Sequence, residues 1–343
     1  MKPSRALNNP VLFGKPWLLS LIPLLERRGF NTAKVLQGLP NFSGEVKTAD
    51  YRLTHLQVQQ LLAQVELEVS DPHIWQLVAE TFFQNSMSPV IELCSQSSSF
   101  EHVLKLAYRY RDLAILNMIV LPQHSEEGVT IDLVPFSGAR SKQFQASRTA
   151  SCKLAVALFF TLAKQLNIDL KAWKLYLPED VAALPIWEKW LPVVHTRGVA
   201  RITIPSQCLQ ARYQPNQQRF NQALYFCQLQ RHAVGGPAQF ERIFRWLLQQ
   251  LNSGQDISLS ELSAYLNISV SSCKRLFASV GQSYQGFYDN VRLYKLLCLL
   301  ELPGGTNSEL ASQLGYSNPN NFRRACKRWL GIAPNQLRQR SVV

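Results

Sequence analysis

Near its C-terminal end the chain writes one pattern twice, which restricts that region to two copies of one small unit. The first copy opens Ser258-Leu-Ser-Glu261 and the second Thr306-Asn-Ser-Glu309. In each, a hydroxyl residue precedes Glu by three places, the capping-box signal for a helix start. At an offset of 48 residues Leu262 aligns with Leu310, Leu266 with Leu314 and Ser269 with Ser317. The offset then slips to 49, pairing Arg275 with Arg324 and Phe277 with Cys326, and to 50, pairing Gly281 with Gly331. A short helix with inward apolar residues, a turn at Asn267 or Gly315, and a serine (Ser269 or Ser317) placed to cap a second helix make each copy a helix-turn-helix.

The second helices are predicted over about Val270 to Val280 and Asn318 to Leu330. Each carries core residues on one stripe and polar residues on the other, the arrangement that lets a helix lie in a DNA major groove against base edges. The outward residues are Ser271, Lys274 and Arg275 in the first and Asn320, Asn321, Arg323 and Arg324 in the second. All are hydrogen-bonding types suited to bases or phosphates. Between the copies, Tyr284 to Leu302 reads as one helix with Phe287, Val291, Tyr294 and Leu297 at three-to-four spacing. About 18 residues at 1.5 Å each give a rod of roughly 27 Å, which suits placing both units in successive major grooves about 34 Å apart.

These residues resemble the AraC/XylS transcriptional regulators. The resemblance rests on Arg292-Leu293, Glu309-Leu-Ala311, Leu314-Gly-Tyr316 and Phe322-Arg-Arg-Ala-Cys-Lys-Arg-Trp-Leu-Gly-Ile-Ala-Pro334, and spans about Ala238 to Arg340. It implies that Ser271, Lys274, Arg275, Asn320, Asn321 and Arg324 face bases or phosphates. The chain departs from the family pattern at Cys273, Asn267, Leu296 and Cys326. Cysteine still fills a core, and Asn tolerates a left-handed turn.

Charge agrees with a polyanionic partner. The chain holds 36 Lys+Arg against 23 Asp+Glu, a net charge of +13. From Ser317 onward there are six cations (Arg323, Arg324, Lys327, Arg328, Arg338 and Arg340) and no carboxylate. An isolated run of this kind usually marks a solvated face, but this one sits on a predicted DNA-reading helix.

The preceding region reads as mixed helix and strand. Helical spacing marks Leu18 to Arg28, Thr54 to Ser70, Pro72 to Phe83, Phe100 to Arg111 and a long helix over Phe144 to Leu166. Val129 to Val134 and Val199 to Ile204 alternate as strands, with Ala114 to Leu121 and Ala172 to Leu177 as further candidates. The order of elements, from Leu18 through Phe100-Glu-His-Val-Leu-Lys-Leu-Ala-Tyr-Arg-Tyr110 to Phe220-Asn-Gln, resembles the arabinose-binding-type sensor domain of the ornithine-utilisation-regulator group. That resemblance implies effector sensing and suits dimerisation, with no indication of which effector. The expected fold class is an α+β N-terminal sensor domain joined to an all-α C-terminal domain with two helix-turn-helix motifs. The expected domains are 15–215 for effector binding and dimerisation, 216–237 as linker and 238–340 for DNA binding. The breaks fall at Gln214-Pro-Asn-Gln-Gln218 and Gly235-Gly-Pro237, and 219–234 suits a connecting helix.

The expected function is an effector-responsive activator at promoters. Its partners are double-stranded promoter DNA, RNA polymerase, an unidentified small-molecule effector and, compatibly, a second copy of the chain. A constitutive DNA-binding scaffold whose N-terminal domain only dimerises is the alternative. A nucleic-acid enzyme would need a catalytic constellation, and no Cys–His cluster, paired metal carboxylates or P-loop is found. No metal or cofactor is called for, since seven dispersed cysteines fit reduced core thiols. Met1 to Asn9 lacks a signal-peptide core, and the apolar run Leu154 to Ala163, bounded by Lys153 and Lys164, is about half a membrane span. A cytoplasmic protein with no membrane partner is expected. Trp173, Trp187 and Trp190 are candidates to line an effector cavity, though aromatics at such spacing more often belong to a core. Arg109, Arg111 and Arg140 suit surface charges or salt-bridge partners better than an effector site.

Overall fold

A computed structural model describes residues 12–39, 52–84, 88–111, 118–135, 142–196, 198–212, 214–233, 237–301, 306–330, 332–334 and 336. The N-terminal two-thirds contains helices α1 (Gly14–Arg27), α2 (Thr32–Val35), α3 (His55–Glu68), α4 (Ile74–Gln84), α5 (Pro89–Ser95), α6 (Phe100–Arg109), α7 (Lys142–Gln165), α8 (Pro185–Glu188), α9 (Ser206–Leu209) and α10 (Gln217–Ala233). Its strands are β1 (Leu12–Phe13), β2 (Arg52–Leu53), β3 (Met118–Ser125), β4 (Gly128–Pro135), β5 (Lys174–Pro178), β6 (Val193–Thr196) and β7 (Ala200–Pro205). Then follow α11 (Pro237–Asn252), α12 (Leu259–Tyr265), α13 (Val270–Ala278), α14 (Tyr284–Leu300), α15 (Asn307–Gln313) and α16 (Pro319–Leu330). An α+β region thus precedes an all-α one.

Five strands form one sheet in the order β3-β4-β7-β5-β6, antiparallel except for the parallel β5–β6 pair. The β3 strand begins at Met118 and runs on to Ser125, four residues past the predicted end at Leu121. It continues because β4 pairs with it up to a tight turn, where Ser125 opposes Gly128. Gly128 has φ of +147°, and a Cβ there would lie 2.1 Å from the Ile204 carbonyl oxygen of β7. Residues 114–117 of that predicted strand lie outside the described residues.

Strand alternation decides what the sheet does. On one face Val120, Ile131, Leu133, Ile202 and Ile204 join the core formed with α3, α4 and α7. On the other, Ile119, Leu121, Val134 and Val199 join the core of α11 to α16, packing with Phe240, Phe244 and Tyr294. One sheet therefore closes two hydrophobic cores, because successive side chains point to opposite faces. That second face also carries Asp132, fully buried, whose carboxylate accepts from Arg201 Nε at 2.5 Å and from the Tyr294 hydroxyl of α14 at 2.8 Å. Arg201 reaches Glu301 at the end of α14 as well, at 2.7 Å. Burying a carboxylate is expensive unless it is paired and hydrogen-bonded, and here the partners come from both regions.

The three tryptophans are core rather than cavity residues. Phe160 makes edge contacts with Trp173, Trp187 and Trp190 at ring separations of 6.2, 5.7 and 6.3 Å. The Trp187 indole N–H donates to Gln76 at 3.1 Å. The α10 helix packs Ala223 and Cys227 into the first core, so the stretch after Gln217 is a docked helix. Cys94 and Cys152 are buried, and burial pushes both thiols up to about 12, which leaves them without thiolate character at neutral pH. Arg140 lies outside the described residues.

Candidate nucleic-acid interface

Both capping boxes form. Ser258 N–H donates to Glu261 at 2.7 Å while Glu261 N–H donates to the Ser258 hydroxyl at 3.3 Å. Thr306 N–H donates to Glu309 at 2.5 Å and Glu309 N–H returns to Thr306 at 3.2 Å. Each satisfies two of the N–H groups that a helix start leaves open. The turns follow, with Asn267 at φ 54° and Gly315 at φ 76°, both left-handed.

The second helices begin differently from one another. Ser269 caps α13 through an acceptor bond from Ser272 N–H at 3.1 Å. Ser317 does not play that part for α16. The helix begins at Pro319, and the side chain of Asn318 accepts from Asn320 N–H at 2.8 Å. Proline fits a first helical position because the N–H it lacks would be unpaired there, and this shifts the cap one residue beyond Ser317.

Cys273, Leu276 and Phe277 of α13 are buried, as are Phe322, Ala325 and Cys326 of α16. Their opposite faces expose Ser271, Lys274 and Arg275, and Asn320, Asn321, Arg323 and Arg324. All seven outward residues of the sequence pattern are thus accessible. Lys274, Arg323 and Arg324 bond to no side chain among the described residues, whereas Arg275 donates to its neighbour Ser272 at 3.2 Å. Arg328, one of the basic run, is tied back to Asp289 of α14 at 2.7 Å. Arg338 and Arg340 lie outside the described residues. The Cys273 and Cys326 thiols, which burial pushes up to about 11 and about 12, fill core space.

Sequence reasoning named Arg292 only as part of a motif and missed that it and Lys295 hold the two units on one rod. On α14 the Arg292 guanidinium lies between the Tyr288 and Tyr316 rings, 4.4 and 4.7 Å from their centroids. It donates to the Leu314 carbonyl at 3.2 Å and to Asp256 at 2.7 Å. Lys295 donates to the carbonyls of Leu251 at 2.9 Å and Gln313 at 2.6 Å. Those carbonyls end α11 and α15, where intrahelical partners run out and a cation is favoured by the helix dipole. Burial lowers the Lys295 pKa. The readable signal was spacing, since Tyr288, Arg292 and Lys295 stand three to four apart and share one helix face with the core.

Residues 262–340 match the family described as helix-turn-helix domain. The C-terminal region is an AraC-type helix-turn-helix domain. Over 98 residues, 29% of this chain and 28% of the relative, the sequence is 33% identical to the ornithine utilization regulator of Pseudomonas aeruginosa. Over 89 residues it is 27% identical to two uncharacterized HTH-type transcriptional regulators, Mb1430 of Mycobacterium bovis and Rv1395 of Mycobacterium tuberculosis, covering 26% of this chain and 26% of each relative. The matched stretches thus span about a quarter of the length of these relatives. The crystal structure of the transcriptional regulator CdpR from Pseudomonas aeruginosa aligns over 81% of this chain and 90% of that one, at 21% identity and a TM-score of 0.39. Among the described residues no helix is long and apolar enough to cross a membrane, and no three His, Cys, Asp or Glu side chains cluster to hold a metal. Within the AraC-type domain, the face left open by α13 and α16 is the candidate interface.

Proposed function

We propose that the protein is a sequence-specific DNA-binding regulator of transcription that responds to a small-molecule effector and activates promoters. One observation carries the reading. Two capped helix-turn-helix units each bury one stripe of the second helix and leave its hydrogen-bonding stripe open. Ser271, Lys274 and Arg275 then face one major groove and Asn320, Asn321, Arg323 and Arg324 the next, each contacting bases or phosphates. Residues 238–340 form the DNA-binding domain, 15–215 the effector and dimerisation domain, and 216–237 the connection. Both units lie on one chain, so a single copy spans two grooves; self-association is read by sedimentation with and without DNA. As an activator the bound protein contacts RNA polymerase.

The test is chromatin immunoprecipitation of the tagged protein in its own host, followed by gel-shift titration on the strongest site. Discrete promoter peaks and tight binding that weakens steeply with salt are expected, because basic helices displace counterions from DNA. Occupancy without peaks would overturn the sequence-specific reading. Peaks whose occupancy and transcription are unchanged under every growth condition would favour the constitutive scaffold.

A further inference from the structure

A cavity of about 150 Å³ lies between α4, α5, α6, α7 and the inner face of β3 and β4. Phe83, Val90, Leu104, Val120, Ile131 and Phe159 form its walls. The acidic side chain that reaches it, Glu101, is paired with Lys105 at 2.5 Å, and Arg111 is paired with Glu241 at 2.6 Å. A charged ligand entering this space would lose its hydration against hydrocarbon and find these countercharges engaged. The space opens to solvent past Glu101 and Lys105, and its volume is close to that of an apolar cavity that accepts a molecule the size of benzene. The chemistry and the size both select a small uncharged hydrophobic ligand.

The same walls touch α11, which packs in the second core with the two helix-turn-helix units. Tyr108 and Arg111 line the cavity and together hold Glu241 of α11. The Tyr108 hydroxyl donates to that carboxylate, the Arg111 guanidinium covers the Tyr108 ring at 4.1 Å, and Arg245 joins from α11 at 2.9 Å. The Glu241 side chain is only 3% exposed, so its position is set by these partners. Burial and the bond to Glu241 raise the Tyr108 pKa, which keeps the phenol a donor. The residue before Glu241, Phe240, packs its ring 5.9 Å from that of Phe277 in α13. In parallel, Val120 lines the cavity while its strand neighbours Ile119 and Leu121 belong to the second core.

We propose that this cavity binds a small uncharged hydrophobic molecule, aromatic or short-chain aliphatic, and that the Tyr108–Arg111–Glu241 cluster transmits its occupancy to α13. Filling the space sets the ring of Tyr108, and the ring of Tyr108 sets α11. A ligand shifts an equilibrium only by its different affinity for the two arrangements, and by linkage DNA must change ligand affinity by the same factor. The transmission step rests on the DNA-reading function proposed above; the binding site does not.

Toluene serves as the probe on the full-length protein. Titration followed by NMR reads binding, and gel shift on the strongest immunoprecipitated site, with and without saturating toluene, reads coupling. One saturable site is expected in the unaltered chain. Ala107→Phe, which fills the cavity from α6, abolishes binding with the melting temperature retained; should that variant not fold, Ile91→Trp from α5 blocks the same space. DNA affinity changes about fivefold or more on saturation, and Glu241→Gln removes that change while toluene still binds. Binding that fails to saturate, or persists in the filled variants, overturns the site. Saturable binding with DNA affinity unmoved overturns the transmission. If toluene binds but no specific DNA site exists, the DNA reading and the transmission fall together and the site stands.

Discussion

The two helix-turn-helix units share a sequence pattern and a shape, yet they are held in place by different forces. The first is anchored by aromatic packing. Phe277 of α13 lies 5.9, 5.8 and 5.3 Å from the rings of Phe240, Tyr284 and Phe287. The second has Cys326 at the aligned position and a looser ring set, Tyr316 with Phe322 and Trp329 at 6.0 and 6.3 Å. Buried cations from α14 and the Arg328–Asp289 pair do there what a phenylalanine does in the first unit. A repeat conserves geometry at its caps and turn, and leaves each copy free to bury whatever its surroundings supply.

Removing the anchors should therefore hurt the two units unequally. Phe277→Ala deletes a fully buried ring from a packed core, a loss of about 3 to 5 kcal/mol that is read by urea denaturation of the full chain. Cys326→Ala, at the aligned position, removes a single sulfur and should cost on the order of 1 kcal/mol. Equal losses would mean that both units rest on the same kind of packing. Arg292→Met tests the cationic side of the contrast. It keeps the length of the side chain but orphans the Leu314 carbonyl and the contact to Asp256, for a loss of about 1.5 to 3 kcal/mol. The same denaturation should lose stability, whereas an unchanged midpoint would show that the packing of Tyr288 and Tyr316 about this position holds the second turn without the cation.

The DNA faces allow the comparison to be sharpened. Arg324 bonds to no described side chain, and its counterpart Arg275 is held by Ser272. Arg324→Ala should weaken binding to the specific site by about 1 to 3 kcal/mol if it reads a base. Equal weakening on random DNA would reassign it to a phosphate. Arg275→Ala, measured alongside by gel shift, is expected to cost less, since its side chain already has a local partner to leave.

What was legible in the sequence follows from how local each determinant is. The capping boxes, the left-handed turns at Asn267 and Gly315, the apolar stripes and the seven exposed residues are set within a few positions of chain, and the structure carries each of them. Ser317 is not the cap because Pro319, itself a local signal, sets the helix start one residue later and leaves that position to Asn318. The buried Arg292 and Lys295 were less readable, because a cation usually marks a surface and their partners lie 18 to 44 residues away. The Arg111–Glu241 contact joins residues 130 apart, and the cavity needs six elements at once, so neither had a signature along the chain. The strand alternation that splits β3, β4 and β7 between two cores was visible as a period; that the second face meets another core was not.

The smallest contrast lies in the turns. Asn267 and Gly315 occupy aligned positions with φ of 54° and 76°, and each faces the same steric objection to a Cβ in that region. Asn meets it with a short polar side chain, whereas Gly meets it with none. A Cβ at Gly315 would also come within 3.4 Å of the Leu251 side chain, ordinary contact, so backbone strain rather than collision sets the effect. Gly315→Ala is expected to cost about 1 to 2 kcal/mol, and Asn267→Ala somewhat less, because Asn already bears part of the strain that Ala would bear. Asn267→Gly should be near neutral, relief of strain being offset by the greater freedom of an unfolded glycine. Thermal melts of the three variants rank them, and a Gly315→Ala variant as stable as the parent chain would mean that the second turn relaxes out of the left-handed region at no cost.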